Sequence, residues 1–196
     1  MPLIKVILGT TRDARFGDKP AAWIMELAKQ ESDAIFELVD LKDLNLPFFD
    51  EPIPPLMGDY RHEHTQKWAK IIGEADGFIF VTAEYNFSIP AALKNAIDYL
   101  AAEWRYKPVA FVSYGAASGG LRAVQHLREI AGNAGYMPLA DTVVFNRYWE
   151  QVDETGKLSV NDEQLMHGKK LVKNIVFWTE KLKPIREELA AQSKKQ

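Results

Sequence analysis

The sequence predicts a doubly wound α/β fold, in which helices cover both faces of a parallel sheet. Short apolar runs alternate five times with segments that place apolar residues at helical spacing, which is typical of this class. Several runs are apolar at nearly every position, as expected of strands that are covered on both faces. The five runs span residues 3–8, 35–39, 78–81, 109–112 and 139–145.

Five amphipathic segments predict the helices. The first is predicted to begin at Asp18, a candidate N-cap, with Pro20 in its first turn. Ser88 is a candidate cap for the third helix, and the fourth is predicted to stop within residues 132–135, which hold two glycines. Beyond about residue 185 the chain is polar, and we expect this tail to fray. The helical stripes lie within residues 18–28, 68–75, 89–100, 121–131 and 165–182.

Length and composition fit one domain over residues 1–196, with 47% hydrophobic and 26% charged residues. Lys and Arg total 24 against 27 Asp and Glu, a net charge of −3. We therefore expect no nucleic-acid partner, because such a partner needs a basic surface. The absence of cysteine excludes thiolate catalysis and fits a reducing compartment. No signal-peptide pattern and no stretch near the roughly 20 apolar residues of a membrane span are present, so we expect a cytoplasmic protein without membrane contact.

Three loops of unusual composition follow predicted strands, at the sheet edge where open α/β folds bind ligands. The loop at residues 9–18 offers two hydroxyls, two guanidiniums and the free amides of a helix start, which suits a phosphate. It has neither the Walker A spacing nor the glycine spacing of a Rossmann dinucleotide site. The alternative is a surface loop whose arginines pair with Asp13 and Asp18.

The other two loops also allow two interpretations each. Residues 83–90 interleave polar and aromatic side chains, which suits either a planar heterocycle or a tight turn with its aromatics packed inward. Small residues at 113–120 either let another molecule approach the backbone or serve a helix start capped by Ser118. A long proline-rich connection at residues 40–61 either covers the core or also contacts a ligand or a second subunit.

Three motifs in these loops match a known family in order and spacing. They are Gly9-Thr10-Thr11-Arg12, the segment Glu84-Tyr85-Asn86-x-Ser88-Ile89-Pro90-x-x-Leu93-Lys94-Asn95-Ala96-Ile97-Asp98, and the glycine-rich turn from Tyr114 to Gly120. They resemble the G-S-x-R phosphate loop, the P-E-Y-N-x-S-I-P-x-x-L-K-N-A-I-D signature and the glycine-rich turn of the NAD(P)H-dependent FMN reductases, which include quinone and azo-dye reductases. Ala83 departs from the usual Pro and Phe87 from the common Gly, so Phe87 is expected to narrow the space above the flavin.

The resemblance implies a flavodoxin-like three-layer α/β/α sandwich with a five-stranded parallel sheet in the order 2-1-3-4-5. It also implies FMN as cofactor and NADPH or NADH as electron donor. The residues that it assigns to FMN fall into three groups, for the phosphate, for the isoalloxazine ring and for the other edge of that ring. They are Gly9, Thr10, Thr11, Arg12, Phe16 and Gly17; Glu84, Tyr85, Asn86, Phe87 and Ser88; and Ser113, Tyr114, Gly115 and Ser118.

The implied activity is a ping-pong, two-electron transfer from the nicotinamide through FMN to a flavin, quinone or similar small acceptor. No catalytic side chain and no metal site are expected, and His62 and His64 are expected to diverge. The alternatives are a one-electron flavodoxin-type carrier, which is usually more acidic than this chain, and a non-catalytic flavin-binding module. The resemblance further implies a homodimer or a dimer of dimers, with apolar surface at residues 48–49 and 104–106.

Overall fold

Five parallel strands form a single sheet in the order β2-β1-β3-β4-β5. The computed structural model describes residues 1–193. The order confirms the predicted fold and its strand arrangement, in which the reversal lies between β1 and β3. The strands are β1 (Leu3–Leu8), β2 (Ile35–Asp40), β3 (Gly77–Ala83), β4 (Pro108–Tyr114) and β5 (Met137–Phe145).

Helices pack on both faces of the sheet and create two hydrophobic cores. Alternate residues of the three central strands enter opposite cores, as the two-residue period of a strand requires. Ile7 and Phe80 face the core under α3, α4 and α5, whereas Val6 and Ile79 face the core under α1 and α6. The helices are α1 (Asp18–Glu31), α2 (Leu41–Leu44), α3 (Glu63–Glu74), α4 (Ala91–Asp98), α5 (Leu121–Ala134) and α6 (Asp162–Ser193).

The observed N-caps differ from the predicted caps by one or two residues. Gly17 occupies the N-cap of α1, so Asp18 is its first residue. Pro90, not Ser88, occupies the N-cap of α4. Gly120, not Ser118, occupies the N-cap of α5, at a φ of +90° that suits glycine. In each case a Gly or Pro occupies the N-cap and its backbone starts the helix. Among the described residues, none of these three helices has a hydrogen bond to a side chain of its N-cap residue.

The polar segment beyond residue 185 is helical up to Ser193, so the expected fraying is wrong for these residues. Two side chains tie this part of α6 to the amino-terminal edge of the sheet. Lys183 Nζ lies 3.0 Å and Arg186 Nη2 2.8 Å from the two carboxylate oxygens of Asp76, just before β3. The rest of the predicted tail, residues 194–196, lies outside the described residues. None of the helices within residues 1–193 has the length and apolarity needed to cross a membrane.

Two further expectations about side chains are wrong. Trp104 is fully buried in the core, where its ring lies 5.1 Å from that of Phe78, so it offers no apolar surface for a second subunit. His62 is the N-cap of α3, and its ring stacks on that of His64 at 5.1 Å. The two rings do not diverge, because a residue at the N-cap does not follow the angular spacing of the helix.

Candidate functional site

A cleft of about 730 Å³ opens at the carboxyl edge of the sheet. The three loops singled out from the sequence line it together, because the carboxyl ends of parallel strands meet at one edge. Six of the fifteen predicted residues lie on its surface: Arg12, Phe16, Glu84, Tyr85, Tyr114 and Gly115.

The other predicted residues lie around this cleft. Gly9, Thr10, Gly17 and Ser113 are buried beneath the loops. Thr11 lines a neighbouring cavity between the β1–α1 loop, α4 and residues 41–48. The remaining four do not line the cleft: Asn86, Phe87, Ser88 and Ser118.

The β1–α1 loop presents free hydrogen-bond donors. Within the described chain, the backbone N–H groups of residues 11–14 have no protein partner. Ala14 adopts a φ of +50°, and such alternation of backbone hand forms concave sets of N–H groups that bind anions. The amino terminus of α1 follows directly and adds its positive dipole end.

Arg15 holds this loop in place. Its guanidinium donates to the carbonyl of Thr10 and to Asp40 at the end of β2, with Nη1 2.8 Å from Oδ1, and it also contacts Asp18. The hydrogen bond to Asp40 raises the pKa of Arg15 above its usual value. The predicted alternative, in which loop arginines pair with aspartates, is therefore correct for Arg15 and Asp18, while Arg12 stays exposed at the cleft.

Thr10 and Tyr114 join the first loop to the end of β4. Their hydroxyl oxygens lie 3.1 Å apart, and both side chains are buried. Burial raises the pKa of Tyr114 to about 12, so this phenol stays protonated. A Cβ at Gly17 would lie 2.8 Å from the Tyr114 hydroxyl oxygen, so the close approach of the loop to Tyr114 requires glycine there.

Residues 85–88 form a two-residue hairpin. The backbones of Tyr85 and Ser88 exchange two hydrogen bonds of 2.9 Å. Asn86 and Phe87 between them have φ values of +49° and +67°, the pattern of a type I′ turn. The tight turn is therefore present, but the Phe87 ring points outward, is 65% exposed and lies 4.2 Å from the guanidinium carbon of Arg122.

Glu84 clamps the middle loop to the glycine-rich turn. Its carboxylate accepts from the Ser118 hydroxyl at 2.7 Å and from the backbone N–H and Nη1 of Arg122 at 3.1 and 2.8 Å. Burial alone would raise the pKa of Glu84, but these hydrogen bonds and the Arg122 charge hold it below its usual value. Ser118 thus contacts the clamp rather than the cleft.

The comparisons with known proteins agree with this geometry. The family model described as NADPH-dependent FMN reductase matches residues 2–150. The chain belongs to the NADPH-dependent FMN reductase family. It is therefore an FMN-dependent NAD(P)H oxidoreductase, which confirms the predicted family, enzyme class and cofactor.

Individual relatives and structures are consistent with this assignment. An NAD(P)H-dependent FMN reductase of Schizosaccharomyces pombe is 47% identical over 133 residues, which cover 67% of this chain and 66% of that protein. An NADPH:quinone oxidoreductase of Arabidopsis thaliana is 33% identical over 139 residues, 66% of this chain and 67% of that protein. The matches thus span about two thirds of these relatives. The flavoenzyme FerB of Paracoccus denitrificans shares the fold, with a TM-score of 0.70, 22% identity and coverage of 93% and 99%.

In this member of the FMN reductase family, two residues of the cleft wall were not predicted from the sequence. Tyr148 and Trp149, which follow β5, line the cleft together with the three loops. Tyr148 packs on Phe16, with ring centroids 5.1 Å apart. The sequence does contain a signal for these two residues. They form an aromatic pair shortly after the strand predicted at residues 139–145, at the same sheet edge as the three loops.

The long connection at residues 40–61 packs against α4 and lines the cavity next to the cleft. Asn95, from the family signature, donates to the carbonyl of Pro47 at 2.7 Å and accepts from Phe49 N at 2.9 Å. The Tyr99 hydroxyl lies 2.9 Å from an Asp50 carboxylate oxygen. These bonds place residues 45–48 on the wall of the neighbouring cavity that Thr11 also lines.

Proposed function

We propose that the cleft binds FMN with its phosphate on the β1–α1 loop and its ring along residues 84–85 and 114–115. The observation that carries this proposal is the set of unpartnered N–H groups at residues 11–14, in a loop whose Arg12 and Ala14 line a cleft with aromatic walls. Phosphate accepts hydrogen bonds from such donors, and the exposed guanidinium of Arg12 adds charge. The donors and the walls therefore fit the cofactor.

When bound, FMN supplies the two-electron chemistry, accepting from the nicotinamide and passing on to the acceptor. The side chains around it bind and orient. Tyr114 stays protonated and Glu84 stays ionised at neutral pH, and both are held by fixed hydrogen bonds. Neither is free to exchange protons with a substrate, which supports a mechanism without a catalytic acid or base in the cleft wall.

We assign a small quinone or flavin as the electron acceptor. The quinone oxidoreductases among the relatives support this class. The reaction converts NADPH, a proton and the quinone into NADP⁺ and the hydroquinone, so that two electrons and two protons reach the quinone. The proton comes from solvent, which the open cleft admits.

The test is an absorption titration of the purified protein with FMN, followed by NADPH under nitrogen and then by a quinone. We expect a bound flavin band that NADPH bleaches and the quinone restores. A bound flavin that stays oxidised with excess NADPH and NADH would contradict the reductase and favour a carrier. Failure to bind FMN would contradict the assignment of the cleft.

We further propose that the protein is a cytoplasmic homodimer or dimer of dimers. Exposed apolar side chains on the long connection support a subunit contact, with Phe48 87% and both Leu56 and Met57 72% exposed. Tyr106 adds a half-exposed ring, although Trp104 beside it is buried. A monomeric mass in light scattering at micromolar concentration would exclude this assembly.

A further inference from the structure

The segment that follows β5 is fixed to the glycine-rich turn by backbone hydrogen bonds. Gly115 N donates to the carbonyl of Phe145 at 3.2 Å, and Arg147 N donates to that of Ala116 at 2.8 Å. Tyr148 N adds a bond of 3.3 Å to the carbonyl of Gly115. This segment therefore has a set position on the cleft wall, as binding residues on a rigid support require.

A backbone turn then sends two neighbouring aromatic rings in different directions. Arg147 has a φ of +44°, which is unfavourable for a residue with a Cβ and often marks functional sites. Tyr148 turns inward, with its ring 5.1 Å from Phe16 and 6.0 Å from Tyr114. Trp149 turns outward and is 56% exposed at the cleft rim.

Trp149 lines the cleft and leaves more than half of its surface exposed. Among the described residues, Tyr148 is the one ring that contacts it, edge-on at 5.4 Å. Exposed tryptophan is uncommon because its large apolar surface gains by burial, and at a small-molecule cleft it offers a flat face for stacking. The inner walls, which we assign to FMN, are formed by the buried rings of Phe16 and Tyr114.

The geometry points to Trp149 as the residue that stacks on the planar ring of the electron acceptor and selects for aromatic quinones. This inference rests on the proposed function, since it needs FMN in the inner part of the cleft. A cleft of about 730 Å³ lies in the upper half of the usual range for small-molecule sites, so it has room for a second ring. Trp149 is a specificity-determining residue in this assignment and takes no part in electron transfer.

The test compares two acceptors with the NADPH-reduced holoprotein: 1,4-naphthoquinone, which is planar and aromatic, and ferricyanide, which has no ring to stack. We expect Trp149→Ala to raise KM for the naphthoquinone about 3- to 10-fold, the loss of one aromatic contact, with kcat nearly unchanged. Trp149→Phe should restore most of the affinity. The KM for ferricyanide and the Kd for FMN should stay at their wild-type values in both variants.

Trp178→Ala provides the matched control, because Trp178 is 42% exposed on α6 and does not line the cleft. It should leave both acceptors unaffected. An unchanged KM for the naphthoquinone in Trp149→Ala would overturn the inference, and so would an equal rise for ferricyanide. A weaker Kd for FMN would reassign Trp149 to the cofactor, and a change in oligomeric mass would reassign it to a subunit contact. Failure of the wild-type holoprotein to reduce ferricyanide with NADPH would instead contradict the proposed function itself.

Discussion

Arg15 and Asp40 join the β1–α1 loop to the carboxyl end of β2 through two side-by-side contacts. Nη1 lies 2.8 Å from Oδ1, and Nη2 contacts Oδ2. The side chains are 6% and 16% exposed, so the pair is largely removed from water. The same Asp40 carboxylate accepts from Lys42 N and caps α2. This pair therefore sets where the β1–α1 loop lies relative to the sheet.

Asp40→Asn should lower the free energy of unfolding by about 1.5–3 kcal/mol, because the buried Arg15 guanidinium loses its hydrogen bonds to a charged partner and keeps only Asp18 as a carboxylate contact. Asparagine keeps the cap of α2, so the change isolates the ion pair. FMN affinity should fall together with stability, since the loop loses its anchor. Urea unfolding and flavin fluorescence titration measure the two effects. Asp59→Asn removes one partner of an exposed ion pair with Arg61 that does not line the cleft, and it should change neither quantity.

Arg12→Ala should weaken FMN binding by about 1.5–3 kcal/mol, the value of a hydrogen bond to a charged group. Arg12 is exposed at the cleft and makes no ion pair within the described chain, so its removal should leave stability unaffected. Arg61→Ala removes an exposed guanidinium away from the cleft and is the control. An unchanged Kd for FMN in Arg12→Ala would remove Arg12 from the phosphate site.

Phe87→Gly should stabilise the protein by about 0.5–1 kcal/mol. The turn places Phe87 at a positive φ that costs a residue with a Cβ about 1–2 kcal/mol, and the lost contact with Arg122 offsets part of the gain. Phe87→Ala keeps the Cβ and loses the ring, so it should destabilise. The measurement is thermal unfolding of both variants and of the wild type. A Phe87→Gly variant less stable than the wild type would show that the ring contact outweighs the backbone strain.

Glu84→Gln should weaken the hydrogen bonds to Ser118 and Arg122 that join the middle loop to the glycine-rich turn. It should also make the free energy of unfolding depend less on pH in the acidic range. The folded pKa of Glu84 lies below its unfolded value, so its contribution is present above the unfolded pKa and is lost as pH falls through the folded one. The difference in unfolding free energy between wild type and variant should therefore shrink as pH falls below about 4.3. A difference that stays constant between pH 6 and pH 3 would argue against an ionised Glu84 in the clamp.

Lys107 should make stability rise with pH on the alkaline side. It is buried, and its ammonium donates to the carbonyls of Ile72 and Gly73 in the last turn of α3. Burial, aided by the Arg186 charge, lowers its pKa to about 8. Between this value and the unfolded pKa of about 10.4, the unfolded chain binds more protons than the folded protein. Over this window, the free energy of unfolding of the wild type should rise relative to that of Lys107→Met. Urea unfolding of both proteins at pH 7.5 and 10.5 measures this difference. A difference that is the same at both pH values would contradict the lowered pKa.

The parallel strands and the position of the cleft were predictable because both follow from regular patterns, whereas the strand order was implied by the family resemblance. Continuous apolar runs indicate strands that are covered on both faces, and the edge of the sheet where ligands bind follows from parallel connection. The helix caps were less predictable. Ser88 and Ser118 have the right side chains for caps, but the chain starts the helices at Pro90 and Gly120, and the serine hydroxyls contact His126 and Glu84 instead.

The sequence by itself determined the fold class, the three loops and the family, because these depend on local patterns and on motifs with fixed spacing. Tertiary structure alone decided which polar groups meet. Arg15 pairs with Asp40 twenty-five residues away, and Glu84 clamps Arg122 thirty-eight residues away. It also decided that Trp149 opens onto the cleft while Trp104 is buried. Such pairings depend on the relative positions of separate loops, and no periodicity within a segment specifies those positions.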